Sequence, residues 1–272
     1  MFTFLRSLSY PVTVNSIIIG AIVLLSSNVA LGDNSIKGTR LITGLSLGSS
    51  TLSFPEKLDH DISFPSANLI LAVTNKRWQL SLNSAFSLSD AKISEEEDTG
   101  DASRRDTDLT LGYQASKHWG VYLGFKNGET AITFTPRDLE DDDLLTSTSE
   151  KYSQRGPYIG GSFNWRFEKA GRLTVSIAYA KLDAVNDFEE NTDEEEDEDE
   201  ALEFDDLTGR VKGDITGFSY SLSWTMPLSG NLLFQTKFKV NDYKQDINVD
   251  GITFNNIDEK FILLHVGLAY VF

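Results

Sequence analysis

The chain contains no cysteine among its 272 residues. This absence excludes disulfide bonds, a thiol nucleophile and any metal site that uses cysteine ligands. Basic residues are also scarce: 24 lysines and arginines stand against 41 aspartates and glutamates, which gives a formal net charge of -17. Nucleic acids bind clustered Lys and Arg, so this charge argues against a nucleic-acid partner.

Long apolar runs are missing from most of the chain. The pronounced run at 16–25 is too short to cross a bilayer as a helix, and the small residues Ala30 and Gly32 follow it. This arrangement predicts that residues 1–32 are a cleavable secretory signal peptide. No later stretch reaches the length of a membrane helix, so the mature chain, 33–272, is either soluble or a β-barrel.

What the chain has instead is strict alternation of large apolar residues with small or polar ones. A period of two places successive side chains on opposite faces of a β-strand. The pattern predicts ten strands, at 39–54, 64–74, 77–93, 105–116, 118–134, 153–168, 171–186, 210–227, 231–247 and 258–272.

The predicted connections between these strands alternate in length. Short turns fall at 75–76, 116–117, 169–171 and 229–231, and longer polar loops fall at 55–63, 94–104, 135–152, 187–209 and 248–257. Four short turns at one end and five long loops at the other are what a barrel with an even number of strands requires, with both termini at the periplasmic end.

The face opposite the apolar one distinguishes a membrane barrel from a soluble sandwich. In a sandwich that face contacts water and carries charge, whereas here it consists mostly of Gly, Ala, Ser, Thr and Asn. All four tryptophans lie at strand ends beside the short turns, as in an interfacial aromatic girdle. We therefore predict an all-β fold: a transmembrane antiparallel up-and-down β-barrel of ten strands, preceded by the signal peptide and carrying acidic extracellular loops.

The last strand carries a more specific pattern. Its alternate residues are large and apolar: Leu264, Val266, Leu268, Tyr270 and Phe272. This series resembles the terminal-strand signature of bacterial outer-membrane β-barrels, which the barrel-assembly machinery of that membrane reads during insertion. The resemblance implies a Gram-negative outer membrane reached through the periplasm, with the lipid bilayer and lipopolysaccharide as partners.

Several small outer-membrane barrels are hydrolases, so catalytic residues of that kind are a possibility to weigh for this sequence. Ten-stranded surface proteases of the omptin type carry Asp pairs and an Asp-x-His group at the outer rim of the barrel. Here His118 is beside a short turn, His265 is in the middle of a strand, and only His60 is in an outer loop, between two aspartates. An exposed loop residue is the simpler interpretation of His60. We predict no catalytic residue, no cofactor and no specific metal site.

The predicted outer loops are strongly acidic. Residues 187–206 read DFEENTDEEEDEDEALEFDD, and similar runs fill two other loops. Such runs repel one another and give a solvated surface. Loosely bound divalent cations are a second interpretation, because hard cations bind carboxylate oxygens. A third is electrostatic steering of cationic solutes to the barrel mouth.

The predicted inner faces carry a small polar and charged set: Arg40, Asp108, Arg166, Asp214, Gln235, Lys237, Lys239 and His265. In a wet channel these residues bias ion selectivity, and in a closed barrel they form paired interior ions. Ten strands enclose little space, which favours a narrow or plugged lumen. The leading hypothesis is a non-enzymatic, narrow porin-like passage for small solutes. The alternative is a surface-interaction or adhesin-type barrel that acts through its acidic loops.

Overall fold

The computed structural model describes residues 38–53, 61–95, 98–136, 149–168, 170–189, 209–249 and 252–272. Eleven strands run through these ranges: β1 (Thr39–Ser53), β2 (Ile62–Asn75), β3 (Trp78–Ser87), β4 (Ala91–Glu95), β5 (Asp98–Gln114), β6 (Trp119–Pro136), β7 (Ser149–Phe167), β8 (Gly171–Glu189), β9 (Gly209–Ser229), β10 (Leu232–Val249) and β11 (Ile252–Val271). The predicted signal peptide, His60 and the central parts of three predicted loops lie outside the described residues. Within the described ranges, no helix has the length and apolar character needed to cross a membrane.

The strands form one closed antiparallel sheet. Apart from β3 and β4, each strand pairs with its neighbours along the chain, and the pairings β1–β11 and β3–β5 complete the ring. The strands β3 and β4 share one position, because they pair with successive parts of β5. The ring therefore has ten positions, and the predicted ten-stranded antiparallel barrel is confirmed.

Tight connections define one end of the barrel, here called the short-turn end. The turn between β2 and β3 needs a left-handed residue, Lys76 (φ +53°), and the turn between β9 and β10 uses Gly230 (φ +45°). Positive φ matches the twist of a two-residue hairpin, which closes antiparallel strands tightly. The opposite end, here called the loop end, carries the longer connections.

The outer surface of the barrel carries a continuous apolar band. Its members are exposed and alternate with inward-facing residues along every strand; they include Leu45, Leu47, Leu71, Leu80, Leu82, Leu109, Leu111, Leu123, Phe125, Ile159, Val175, Ile177, Tyr179, Tyr220, Leu222, Phe238, Leu264, Val266 and Leu268. Soluble monomers rarely expose apolar patches beyond a few hundred Å². A band around a closed sheet instead fits a hydrocarbon environment, where every backbone group must be paired.

Aromatic side chains border this band at the short-turn end. All four tryptophans are exposed on the outer face there: Trp78, Trp119, Trp165 and Trp224. The ring of Phe163 lies 4.8 Å from that of Trp119 and 4.5 Å from that of Trp165, measured between centroids. Such amphipathic rings are enriched at the boundary between lipid and water.

The strands extend further toward the loop end than the alternation predicted. The segments 94–104 and 248–257 were expected to be loops, but β5 begins at Asp98 and β11 begins at Ile252. The prediction was wrong there because the strands were identified by large apolar residues at alternate positions. Above the apolar band the outer face contacts water, and polar residues such as Arg105 replace the apolar ones.

Candidate functional site

Two cavities are lined by inner-face residues that the structure describes. The larger, about 460 Å³, lies toward the short-turn end, where it reaches the turn residues Lys76 and Arg77. The smaller, about 160 Å³, lies further inside the barrel. Thr110, Tyr122 and Ser176 line both, so the two cavities adjoin.

Two tyrosine–glycine pairs form part of the wall between β6 and β7. Gly124 pairs with Tyr158 across the two strands, and Tyr122 pairs with Gly160. At either glycine, an added Cβ would overlap the ring of the partner tyrosine. The Tyr122 hydroxyl donates to the backbone oxygen of Ile177 at 3.1 Å. The absence of side chains at the glycines therefore makes room for both rings in the lumen.

One ion pair spans the smaller cavity. The ammonium nitrogen of Lys239 on β10 lies 3.0 Å from Oδ2 of Asp108 on β5. The two strands are five positions apart in either direction around the ring. Both side chains are partly shielded, with 17% of Lys239 and 15% of Asp108 exposed. The pair therefore links opposite walls of the barrel.

Three charged residues form a buried cluster next to this cavity. Asp106 accepts from Nε of Arg104 at 2.8 Å and from Nζ of Lys126 at 2.9 Å. The Arg104 guanidinium lies over the Phe261 ring, 4.2 Å from its centroid, and its Nη1 donates to the Thr130 hydroxyl at 2.9 Å. Buried charges of this kind persist only when they are paired and hydrogen-bonded.

A second buried network joins β7 to β11. The Tyr152 hydroxyl donates to Oε2 of Glu259, and Nε2 of Gln154 donates to Oε1 of the same carboxylate at 3.1 Å. Only 1% of Glu259 is exposed to solvent. Its carboxylate therefore receives hydrogen bonds from protein groups in place of water.

Apolar side chains fill the lumen around these two networks. One cluster contains Leu52, Ile62, Phe64, Ala91, Ala102, Ile132, Phe261 and Leu263. A second contains Tyr152, Ala180, Leu182, Ala184, Ile215 and Tyr243. In the part of the chain that the structure describes, these residues and the two networks form a packed layer toward the loop end, while the cavities lie toward the short-turn end.

The larger cavity is lined by positive charge. Its charged lining residues are four cations, Lys76, Arg77, Arg166 and Arg172, with no acidic residue among the described lining residues. All four are exposed. A chain with a net charge of -17 thus presents a cationic mouth at its short-turn end.

Seven of the eight candidate lumen residues lie on the inner faces. Asp108, Lys237 and Lys239 line the smaller cavity, and Arg166 lines the larger one. Gln235 shares the inner face of β10 with the two lysines. His265 is buried, and its Nε2 lies 2.7 Å from the Ser66 hydroxyl. Arg40 is exposed near the start of β1, at the short-turn end.

Asp214 is the exception. It is exposed and lies on the outer face of β9, the face that also carries Phe218 and Tyr220. The prediction placed this charge in the lumen, and for Asp214 it was wrong. Asp214 lies above the apolar band, where an outward carboxylate contacts water and carries no burial cost.

Four buried charges of the packed layer were not predicted from the sequence: Arg104, Asp106, Lys126 and Glu259. The period-two pattern could have placed Asp106 and Lys126 in the lumen, because each lies on the strand face opposite apolar outward residues such as Leu109 and Phe125. Arg104 could not be placed in this way, because its segment was assigned to a loop. The series Leu264, Val266, Leu268, Tyr270 and Phe272 is exposed on the outer face of the last strand, as its alternation requires.

His118 is the remaining histidine among the described residues, and it lies near the short-turn end. His118 is exposed, and its Nδ1 donates to the backbone oxygen of Asn164 at 2.9 Å. Among the described residues, no group of three or more His, Asp or Glu side chains is arranged to hold a metal ion.

Comparison with known proteins gives the fold its context. No protein-family model matches the chain. No curated protein sequence matches it either. Among solved structures, the outer membrane protease OmpT from Escherichia coli is similar at 12% identity with a TM-score of 0.54, over 88% of this chain and 98% of that one. The translocator domain of the autotransporter NalP from Neisseria meningitidis is similar at 12% identity with a TM-score of 0.51, over 94% and 95%. At such identities the likeness concerns the fold alone: this chain has the closed antiparallel β-barrel fold of these two bacterial outer-membrane proteins.

Proposed function

We propose that this protein is a non-enzymatic, channel-type outer-membrane barrel that admits small solutes to a narrow polar lumen. The observation that carries the proposal is the pair of adjoining polar cavities, which runs inward from the short-turn end. Charged and hydroxyl side chains along a narrow route select solutes by charge and hydrogen bonding.

The packed layer restricts passage to the loop end. A solute that reaches the smaller cavity meets Lys126 and Tyr243, which are 2% and 1% exposed. Tightly packed interiors do not transmit solutes without rearrangement. We therefore expect small and infrequent openings, unlike the steady conductance of a wide porin.

Planar-bilayer recording tests this proposal. The purified barrel, checked for folding by heat-modifiable gel mobility, is compared with a double variant, Tyr152→Ala with Phe261→Ala, that thins the packed layer. We expect rare discrete openings for the native protein and larger or more frequent ones for the double variant. Phe261→Leu keeps most of the apolar volume and serves as the control. Silence from both the native protein and a folded double variant contradicts the channel.

A second candidate is a surface-interaction barrel that acts through its acidic loop end. The observation that favours it is a row of exposed carboxylates on the outer face above the apolar band. Asp214 on β9 pairs in register with Asp183 on β8 and with Asp246 on β10. Divalent cations and the divalent-bridged phosphates of lipopolysaccharide are the partners that suit such a surface.

Shortening the acidic connection between β8 and β9 tests this candidate. Residues 190–206 are replaced by a short Gly/Ser linker, which keeps β8 to Glu189 and β9 from Gly209. We expect a folded barrel that has lost binding to whole cells and to calcium. Unchanged binding by the folded variant contradicts a role for this loop.

A further inference from the structure

We propose that the two adjoining cavities form a binding site for a small oxyanion, with Lys237 as its principal ligand. The inference deepens the proposed channel function, on which it rests, by naming the class of solute. The anion enters at the short-turn end, through the cationic mouth formed by Lys76, Arg77, Arg166 and Arg172.

The charge along this route is strongly biased. Four cations and no described acid line the larger cavity, and three lysines and one aspartate line the smaller one. Clefts with low-dielectric walls focus the field of such charges and raise the local concentration of counter-ions. Since acids outnumber bases in the chain as a whole, the bias is a local property of the lumen.

The three lysines of the smaller cavity differ in their partners. Lys126 is paired with Asp106, and Lys239 is paired with Asp108. Lys237 lies on the same face of β10 as Lys239 and lines the same cavity, and none of the ion pairs between described residues involves it. Its cross-strand neighbours are Ser223 and His265, neither of which is an anion. Asp108 is the nearest carboxylate but pairs with Lys239, and a lumen ammonium that no carboxylate contacts directly favours an anion from solution.

Hydroxyl groups supply the remaining donors. The hydroxyls of Thr110, Tyr158, Ser176 and Ser221 line the smaller cavity. Those of Tyr122 and Ser219 line it too, but they already donate to the backbone oxygen of Ile177 and to Oδ1 of Asn241. Hydrogen bonds from Lys and hydroxyl donors to an ionised oxygen are stronger than those between neutral groups.

Asp108 is the one acid in this wall, and its Oδ1 has no partner among the described residues. Lys239 neutralises its charge, so the smaller cavity keeps an excess of positive charge. The volume of the smaller cavity, about 160 Å³, is enough for a tetrahedral oxyanion with a few waters, since one water occupies about 30 Å³ in the liquid.

The packed layer makes this route a dead end in the resting state. An anion that enters from the short-turn end reaches Lys237 but not the loop end. Binding is therefore measurable even when no current flows, which separates this inference from the channel proposal.

Calorimetric titration with inorganic phosphate tests the site, using the purified native barrel in detergent. We expect saturable binding that Lys237→Gln weakens about tenfold, equivalent to ~1.4 kcal/mol, and that Lys237→Arg largely retains. Lys181→Gln removes the same charge from the outer face of β8 and is expected to bind as the native protein does. Tetramethylammonium, a cation of similar size, is expected to give no saturable signal.

The outcomes separate the two proposals. Phosphate binding that depends on Lys237, together with electrical silence of both the native barrel and the folded Tyr152→Ala, Phe261→Ala variant, keeps the anion site and removes the channel. Conductance without phosphate binding keeps the channel and overturns the anion site. Equal losses in folded Lys237→Gln and Lys181→Gln overturn the site as well, because they reveal only a general effect of charge. A folded Lys237→Gln protein, verified by heat-modifiable mobility, is required for each comparison.

Discussion

The ammonium group of Lys239 meets the carboxylate of Asp108 at 3.0 Å across the lumen, although 131 residues separate them in the chain. Each lies on an inner face, and their strands occupy opposite positions in the ring. The contact links two walls that share no backbone hydrogen bond. It also sets the charge of the smaller cavity, since it neutralises one of the three lysines there.

Removal of one partner of this ion pair is expected to destabilise the barrel. Asp108→Asn leaves Lys239 and Lys237 without a nearby carboxylate, and we expect a loss of about 1–3 kcal/mol in the free energy of unfolding. The double variant Asp108→Leu with Lys239→Met is expected to recover most of it, because apolar replacement of a shielded pair costs little. Urea unfolding in detergent gives both values, and a double variant less stable than Asp108→Asn would contradict the coupling.

The buried carboxylate of Asp106 is expected to contribute more to the free energy of unfolding than that of Asp108. Asp106→Asn leaves Arg104 and Lys126 unpaired in the packed layer, and we expect a loss of about 3–5 kcal/mol. Asp101→Asn, on the same strand, breaks an exposed pair with Lys92 and is expected to cost about 0–1 kcal/mol. Equal effects of the two substitutions in urea unfolding would show that Asp106 is not buried among cations.

The tyrosine–glycine pairs predict a sharp difference between two similar substitutions. Gly124→Ala drives a methyl group into the Tyr158 ring and the backbone oxygen of Leu109, so we expect a loss of about 1–3 kcal/mol and a changed small cavity. Gly112→Ala, also on an inner face, meets only atoms at 3.8 Å or more and is expected to be nearly neutral. Thermal unfolding of the two variants, measured side by side, checks the difference.

The row of outward carboxylates is expected to carry an electrostatic cost. Asp214→Asn removes the central charge between Asp183 and Asp246, and we expect a gain of about 0.2–1 kcal/mol in stability at low salt. The gain is expected to shrink as salt screens the exposed charges. Asp242→Asn is the control, since its cross-strand neighbour on β11 is Lys260 and its loss removes an attraction. If both variants gain stability, the effect comes from the lower net negative charge and not from repulsion within the row.

Closure of the barrel predicts a role for Phe272 in assembly. Its backbone N–H donates to the backbone oxygen of Leu41 at 2.8 Å, next to the β1–β11 seam, and its ring lies 4.8 Å from that of Tyr270. We propose that Phe272→Ala slows insertion by the barrel-assembly machinery, with Leu80→Ala on β3 as an apolar control. The folded fraction in outer membranes, measured by heat-modifiable mobility, checks this; an equal decrease in the control contradicts a specific signal.

Period-two alternation was sufficient to predict most of the fold from the sequence. The alternation of Leu264, Val266 and Leu268 with smaller residues identifies an outward face, and the same logic placed Lys237 and Lys239 inward. It failed above the apolar band, where Asp214 faces water and the outer face of β5 is polar. There both faces of a strand tolerate polar residues, so alternation carries no information about direction.

Alternation along the chain was enough to assign the all-β class, the ten positions of the ring and, within the apolar band, the side chains that face the lumen, because side-chain direction in a strand depends on local backbone geometry. Three features became apparent only in the closed barrel: the contact of Asp108 with Lys239, the buried cluster of Arg104, Asp106 and Lys126, and the packing of the lumen toward the loop end. Contacts across a barrel depend on the stagger and tilt of strands far apart in the chain. No local pattern encodes those quantities, and for that reason the state of the lumen was found only in the closed structure.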